Sequence, residues 1–358
     1  MKKIIFLISE LNYGGTQKTV INLIEKFSKD NFFIDIITFE KKKKINFYNN
    51  KKINYIPLDI ACKSKNKLFG VLNNINRIFL VRRIIKKKQN SVLICFLPST
   101  NIIGLLANFF LKNKIIISER NDTKNQPIGY IWSILRIVFY RFANAIVCNS
   151  KQSLNYLNTF LPKKKIKYIP NHIDIKKNLK TLPKKIILSI GRMHLQKGFD
   201  ILINGFKKSN VYKFGWKLIL IGKGKEKSNL LHLVNKLNLQ KKVKFINFTN
   251  PYIWYKKAGI FVLTSRYEGM PNVVLEAASA KLPIILSKGT GGALDYIVNN
   301  KSGIILKTNS SDELSKKINK LTSNKNLRKR LGHEAFKKIE HFTDFEKIYM
   351  YWKKVIIK

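Results

Sequence analysis

Acidic residues are what this 358-residue chain lacks most: 20 Asp and Glu stand against 69 Lys and Arg, for a formal net charge of +49. Arginine is scarce too, at 10 against 59 lysines. The lysines are scattered through runs rich in Ile and Asn, so the charge reads as a general bias in residue usage. The arginine-rich, aromatic-interleaved footprint of a base reader is absent, and no specific nucleic-acid partner is expected. No Asp-x-Asp pair occurs that would chelate a nucleotide-bound cation, so no metal site is expected. Cysteine is limited to Cys62, Cys95 and Cys148, too few and too far apart for a disulfide framework or a metal cluster. Cys95 and Cys148 lie in apolar runs of strand type and read as buried free thiols. No apolar run approaches the length needed to span a bilayer. The five apolar residues after Met1-Lys2-Lys3 are too short for a signal peptide, and a cytoplasmic location is expected.

What is present is strand and helix in alternation, twice over. Strands are expected at Lys3–Ile8, Phe33–Phe39, Ile53–Pro57, Ser91–Phe96, Ile115–Ser118, Ala145–Cys148 and Ile166–Ile169, with a helix over Leu68–Lys87. A second series follows the polar connector Asp174–Lys184: strands at Lys185–Ile190, Trp216–Ile221, Val243–Phe245, Ile260–Leu263, Pro283–Ser287 and Gly303–Leu306, with helices at Phe199–Lys207 and Lys227–Leu237. This predicts an α/β protein of two Rossmann-like domains that meet near residue 178, with parallel sheets facing across a deep cleft. The boundaries expected are 1–178, 179–342 and a terminal helix over 343–358. That helix carries Phe345, Ile348, Tyr349, Trp352 and Val355 on one apolar face.

The most informative stretch is Ser265 to Ala277, which sets Glu268 and Glu276 across a strand-to-helix junction. Gly269 and Pro271 punctuate the turn, and Asn272 or a neighbour caps a helix beginning near Val273. Both carboxylates then face the carboxyl edge of a parallel sheet, where open α/β folds bind ligands. In Ser189-Ile190-Gly191-Arg192-Met193-His194-Leu195-Gln196-Lys197-Gly198, the directional fork of Arg192 and the adaptable charge of Lys197 suit one phosphate-type anion. Gly14-Gly15 lets a substrate approach the backbone at a helix amino terminus, or is only a tight turn. Ser287 to Ala293 is a third glycine-rich loop, before a helical pattern containing Asp295, Tyr296 and Ile297. Its N–H groups are able to surround a diphosphate without a metal.

Taken in order, Gly14-Gly15, Ser118-Glu119-Arg120-Asn121-Asp122, Asn149-Ser150, Ile169-Pro170-Asn171, Gly191-Arg192 with Lys197-Gly198, and Glu268-Gly269-Met270-Pro271-Asn272 ending in Glu276-Ala277 resemble glycosyltransferase family 4, the retaining enzymes of GT-B fold. The resemblance spans nearly the whole chain. It implies an acceptor-binding first domain, a nucleotide-sugar-binding second domain and a last helix that crosses back to the first. It also implies that Arg192 and Lys197 hold the donor diphosphate, that Glu276 accepts from the ribose hydroxyls and that Glu268 positions the transferred sugar. Gly14, Gly15, Gly191, Met270, Pro271 and Asn272 add donor contacts. Arg120 stands where many relatives have histidine. It offers a directional cation to sugar or phosphate oxygens but no base at neutral pH, unless it merely pairs with Glu119 to fix the loop. No cofactor is implied; the expected donor is a UDP-sugar used without metal.

The Ser-Glu-Arg-Asn-Asp form resembles a subgroup that assembles bacterial surface polysaccharide, lipopolysaccharide and lipid-linked oligosaccharide. A lipid-linked saccharide acceptor and an anionic membrane surface are therefore expected partners. Ile128 to Ala145 mixes Trp132, Phe139, Tyr140 and Phe142 with Arg136 and Arg141, and reads either as a membrane-interface helix or, by slight preference, as a core helix. A soluble acceptor and a GDP-sugar donor stay open, as do an inactive scaffold and a basic nucleic-acid-binding protein. Oligomeric state is not written in the sequence.

Overall fold

The computed structural model describes residues 3–11, 14–41, 50–60, 67–173, 184–247, 250–340 and 344–357. Most of the connector Asp174–Lys184, Cys62 and the anticipated meeting point near residue 178 lie outside them. The chain forms two compact units, one of Met1–Ile169 with Glu346–Lys358, the other of Pro170–Phe345.

The first unit is built on a seven-stranded sheet, ordered Ile53–Pro57, Phe33–Thr38, Lys3–Ile8, Val92–Phe96, Lys114–Glu119, Ala145–Cys148 and Ile166–Tyr168. All its pairings are parallel. These strands are near-continuous apolar runs because both faces are covered. Ile4, Phe6 and Ile8 point into one core with Val20, Leu23 and Phe27 of the helix Gly15–Lys29, while Ile5 and Leu7 point into the other. That second core is closed by the helices Lys67–Lys86, Pro98–Asn108 and Tyr130–Phe139, through Val81, Ile85, Ile102, Ile103, Leu135 and Phe139. Cys95 and Cys148 are buried in it as free thiols.

The terminal helix Phe345–Ile357 belongs to the first core, where Ile348, Tyr349, Trp352 and Ile356 are buried. Its attachment is also polar. Asp30 accepts from the Tyr349 hydroxyl at 2.7 Å and the Lys353 ammonium at 2.6 Å, and Lys114 Nζ donates to the carbonyls of Val355 at 2.8 Å and Ile356 at 3.1 Å. The lysine thus meets carbonyls that a helix end leaves without partners.

The second unit has a six-stranded sheet, ordered Val243–Ile246, Lys217–Ile221, Ile186–Ile190, Ile260–Leu263, Ile284–Leu286 and Ile304–Ile305, again parallel throughout. Phe261 and Leu263 face one core with Tyr255, Leu275 and Ala278; Ile260 and Val262 face the other with Phe206, Leu218 and Leu314. The strands stand within a residue or two of the predicted ranges. One expectation is corrected: after Ser287 the chain forms a 3-10 helix over Lys288–Asp295, broken at Gly291 by φ +53°, and Tyr296 and Ile297 lie beyond it.

Candidate active site

In the second unit, strand order runs outward in both directions from the neighbours Ile186–Ile190 and Ile260–Leu263. The loops leaving their carboxyl ends therefore diverge from a switch point, the usual place for a ligand in an open α/β sheet. Gly191 to Gly198 leaves the first strand and Thr264 to Pro271 the second.

These loops bring two predicted site residues into contact. The Lys197 ammonium pairs with Glu268 Oε1, which also accepts from Ser265 Oγ at 2.7 Å. Glu268 is 8% exposed, so the pair is partly desolvated and its attraction exceeds that of a surface pair. The ammonium has three donors, which leaves others for anionic oxygens. Gly191 lets the lysine stem cross the backbone: a Cβ there would lie 3.2 Å from Lys197 Cδ and Cε. Arg192, on the same loop, is exposed and makes no side-chain hydrogen bond or ion pair with a described residue.

Residues that sequence reasoning passed over stitch the two loops together. Arg266 forms a two-pronged pair with Asp200, at 3.0 and 2.7 Å, and donates to the Leu195 carbonyl at 2.6 Å. The hydrogen bond from Arg266 holds the Asp200 carboxyl below the usual carboxylate range, against the burial that raises it. Gln196 Nε2 reaches the Tyr267 carbonyl at 2.9 Å, and the Arg266 amide reaches the Gln196 carbonyl at 2.7 Å. Gly198, at φ +64°, lies so close to the Thr264 carbonyl that a Cβ would overlap it.

The glycine loop after Ser287 packs on the turn that carries Glu268. Gly292 spends its N–H on the Gly269 carbonyl at 2.6 Å, and Thr290 on the Ser287 carbonyl at 3.2 Å. A Cβ on Gly289 or Gly291 would overlap carbonyls of Ser265 and Arg266, or of Glu268 and Gly269. These glycines let one loop press on the backbone that carries Glu268, which it buttresses.

Met270, Pro271 and Asn272 are buried at the start of the helix Asn272–Ser279. Pro271 occupies the cap position, with no side-chain cap bond. Asn171 holds this turn, its amide donating to Asn272 Oδ1 at 2.6 Å and to the Met270 carbonyl at 3.2 Å. Glu276 follows on the helix, half-buried, and its Oε2 accepts from the Tyr255 hydroxyl at 2.9 Å.

The remaining predicted residues belong to the first unit. Gly14 and Gly15 begin the helix Gly15–Lys29 after the strand Lys3–Ile8, beside that sheet's own switch point. Gly14 is in extended conformation at φ −178°, so no left-handed turn requires glycine there. Arg120 is only 4% exposed, its guanidinium between the rings of Phe96 and Trp352 at 5.7 and 5.6 Å. Burial draws it down to about 10, which still leaves it charged at neutral pH. Glu119 accepts from the Tyr140 hydroxyl and lies 3.6 Å from Arg136 Nε; Asn101 donates to the same hydroxyl at 3.1 Å. Desolvation first, then the Glu119 charge, pushes the Tyr140 phenol far up. Arg136 thus turns inward from a helix whose opposite side is exposed. Among the described residues no three His, Cys, Asp or Glu side chains gather as around a metal ion.

Two family models match successive parts of the chain: "Glycosyltransferase Family 4" over residues 13–177 and "Glycosyl transferases group 1" over residues 171–338. The chain belongs to glycosyltransferase family 4 and is a glycosyltransferase of GT-B fold. It is 27% identical, over 99% of its length and 98% of the relative's, to a Campylobacter jejuni α-1,4-N-acetyl-D-galactosaminyltransferase named for a saccharide on diphospho-undecaprenol. It is 24% identical to the amylovoran biosynthesis glycosyltransferase AmsD of Erwinia amylovora, over 94% of each chain. Among solved structures it superimposes on Staphylococcus aureus TarM in complex with UDP with a TM-score of 0.82, at 17% identity and over 100% of both chains.

Proposed function

We propose that this chain is a retaining transferase that moves a hexose or N-acetylhexosamine from a UDP-sugar to a lipid-linked saccharide in bacterial surface-polysaccharide or lipopolysaccharide assembly. The observation that carries the reading is the convergence of Lys197 and Glu268 at the switch point of the second sheet, with Arg192 on the same loop. Departure of a nucleoside diphosphate from a sugar builds negative charge on the diphosphate and oxocarbenium character at carbon 1. Arg192 and Lys197 meet the first as it develops, with no metal in the reading. Glu268 orients the sugar through its hydroxyls. With Lys197 and Ser265 both on Oε1, this carboxylate suits orientation better than covalent attack. Retention then arises from attack on the face of departure, a donor phosphate oxygen taking the acceptor proton.

The relatives' names favour a lipid-borne acceptor, and the first unit offers a surface for its membrane. No helix among the described residues is long and apolar enough to cross a bilayer. Apolar side chains exposed on the helices Lys67–Lys86 and Tyr130–Phe139, with exposed basic residues beside them, suit attachment to the cytoplasmic face of an anionic membrane.

The test is a donor screen with purified protein and membrane lipid extract, scoring nucleotide release, mass added to the acceptor and the anomeric configuration of the product. UDP release with an α-linked hexose or N-acetylhexosamine from an α-linked donor is expected. Glu268→Ala lowers transfer about 100-fold or more, and Lys197→Ala about as much. An inverted product, or full transfer by both variants, refutes the assignment.

A further inference from the structure

Arginine is scarce in this chain, at 10 against 59 lysines, and one of the ten joins the two loops of the candidate site. The Arg266 guanidinium donates to both oxygens of Asp200, at 3.0 and 2.7 Å, and to the Leu195 carbonyl at 2.6 Å. Both side chains of the pair are 39% exposed, and an ion pair so open to water adds little to stability. What the fork adds is direction. A planar guanidinium on two carboxylate oxygens fixes distance and angle together, which a lysine in its place would not. Each end of the fork stands on the site: Arg266 lies two residues before Glu268, and Leu195 opens the 3-10 turn Leu195–Lys197. Asp200 is set in the first turn of the helix Phe199–Ser209, where the helix dipole favours a carboxylate. Two further ties run beside it, from the Arg266 amide to the Gln196 carbonyl at 2.7 Å and from Thr264 Oγ1 to the Gly198 carbonyl at 2.7 Å.

We propose that Arg266 and Asp200 are positioning residues for the donor: their fork hitches the loop that carries Glu268 to the helix start behind Lys197, and so sets where the lysine meets the diphosphate. The Lys197 ammonium already pairs with Glu268, so it reaches a phosphate only with the donors left over from that pair. A shift of either loop therefore moves the phosphate ligand and the sugar-orienting carboxylate relative to each other, and a misplacement of about 1 Å costs about 100-fold in rate. The fork removes that freedom before the donor arrives, at a place where burial of apolar surface does not do so. This rests on the reading of Lys197 as diphosphate ligand and Glu268 as sugar-orienting group given above.

Calorimetric titration of the full chain with UDP tests this through a double-mutant cycle. Arg266→Lys keeps the charge and loses the fork; it weakens UDP binding about three- to tenfold, while the melting midpoint moves by less than about 4 °C. Asp200→Asn removes the fork from its other end and must repeat the shift, and the two changes together weaken binding no more than either alone, because they break one unit. In Lys197→Ala, Arg266→Lys has an effect of less than about twofold, since the residue through which it acts is gone; general loosening of the fold would weaken binding in both backgrounds. UDP binding by folded Arg266→Lys and Asp200→Asn equal to that of the unaltered chain overturns the role of the fork, as does a loss that persists in full in Lys197→Ala. Absence of UDP binding by the unaltered chain, or unchanged binding in Lys197→Ala, overturns the reading of Lys197 as diphosphate ligand and the role of the fork with it.

Discussion

The guanidinium of Arg120 and the indole of Trp352 lie 5.6 Å apart, so the arginine that follows the strand Lys114–Glu119 is covered by the terminal helix. Phe96 closes the other side at 5.7 Å. A buried cation between two rings keeps part of its lost hydration through the ring quadrupoles. The residue therefore holds the Ser118–Asp122 loop against the helix Phe345–Ile357 from within the first unit.

Substitution at Trp352 separates packing from cation–π contact. Trp352→Leu leaves a cavity and uncovers Arg120, and should cost about 2–4 kcal/mol in urea unfolding. Trp352→Phe keeps a ring over the guanidinium and deletes an indole N–H that has no partner among the described residues, so its cost should be nearer 1 kcal/mol. Equal losses in the two variants would show that the ring does nothing for the arginine.

The attachment of the terminal helix should weaken in acid. Hydrogen bonds from Lys353 and then Tyr349 hold the Asp30 carboxyl below its ordinary 3.8. A carboxyl whose folded value is lower than its unfolded one adds stability that is fully present above about pH 4 and disappears as pH falls through the folded value. The site is partly exposed, so the contribution is under about 1 kcal/mol. Asp30→Asn should flatten that part of the stability profile below about pH 4, read by thermal melts; an unchanged slope would remove Asp30 from the acid response.

Much of this fold is legible because strands buried on both faces must be short, Ile-rich runs bounded by glycine, proline or polar residues. Lys197 and Glu268 were legible for a related reason: each follows such a strand, and neighbouring strands bring their exits together. The partners of those residues were not. Arg266 finds Asp200 66 positions away and Tyr255 finds Glu276 21 positions away, separations with no local periodicity to betray them. Neither was it legible that Arg120 is covered, since that depends on where the last helix packs. Nor was the packing of the loop after Ser287 on the Glu268 turn legible, since glycines that admit a phosphate and glycines that admit another backbone look alike in sequence.

That buttress makes Gly291 a sharp test. At φ +53°, with the Glu268 and Gly269 carbonyls where a Cβ would go, Gly291→Ala combines backbone strain with a clash against rigid groups. It should cost about 2–4 kcal/mol and shift Glu268, so that transfer falls even under conditions that keep the protein folded. Gly215 has φ +85° but open space around it, with only Lys185 Cδ at 3.7 Å. Gly215→Asn should therefore cost about 1 kcal/mol or less and leave transfer intact. Activity in the folded Gly291→Ala protein equal to that of Gly215→Asn would deny the loop its part in placing Glu268.

The exposed apolar surface of the first unit bears on where the enzyme works. The helices Lys67–Lys86, Pro98–Asn108 and Tyr130–Phe139 cover the same core; the first and third expose Phe79 at 65%, Tyr130 at 82% and Ile131 at 65%, and the turn after the second exposes Phe110 at 90%. Phe109 stacks edge-on with Phe110 and Phe142, and Arg82 ties the first helix to this corner through the Ala107 and Phe109 carbonyls. Arg83, Lys86, Lys87, Lys112 and Arg141 are exposed on the same segments. Rings that enter an interface gain about 1.5–3 kcal/mol each, and basic side chains near anionic lipid about 1 kcal/mol each at low salt. Phe110→Ser combined with Ile131→Ser should then lower partitioning onto anionic vesicles more than tenfold, and 0.5 M salt should lower it further. Phe214, 71% exposed in the second unit, is the control: Phe214→Ser should leave partitioning unchanged. Equal losses from both substitutions would mean that general stickiness, and not this face, holds the protein to lipid.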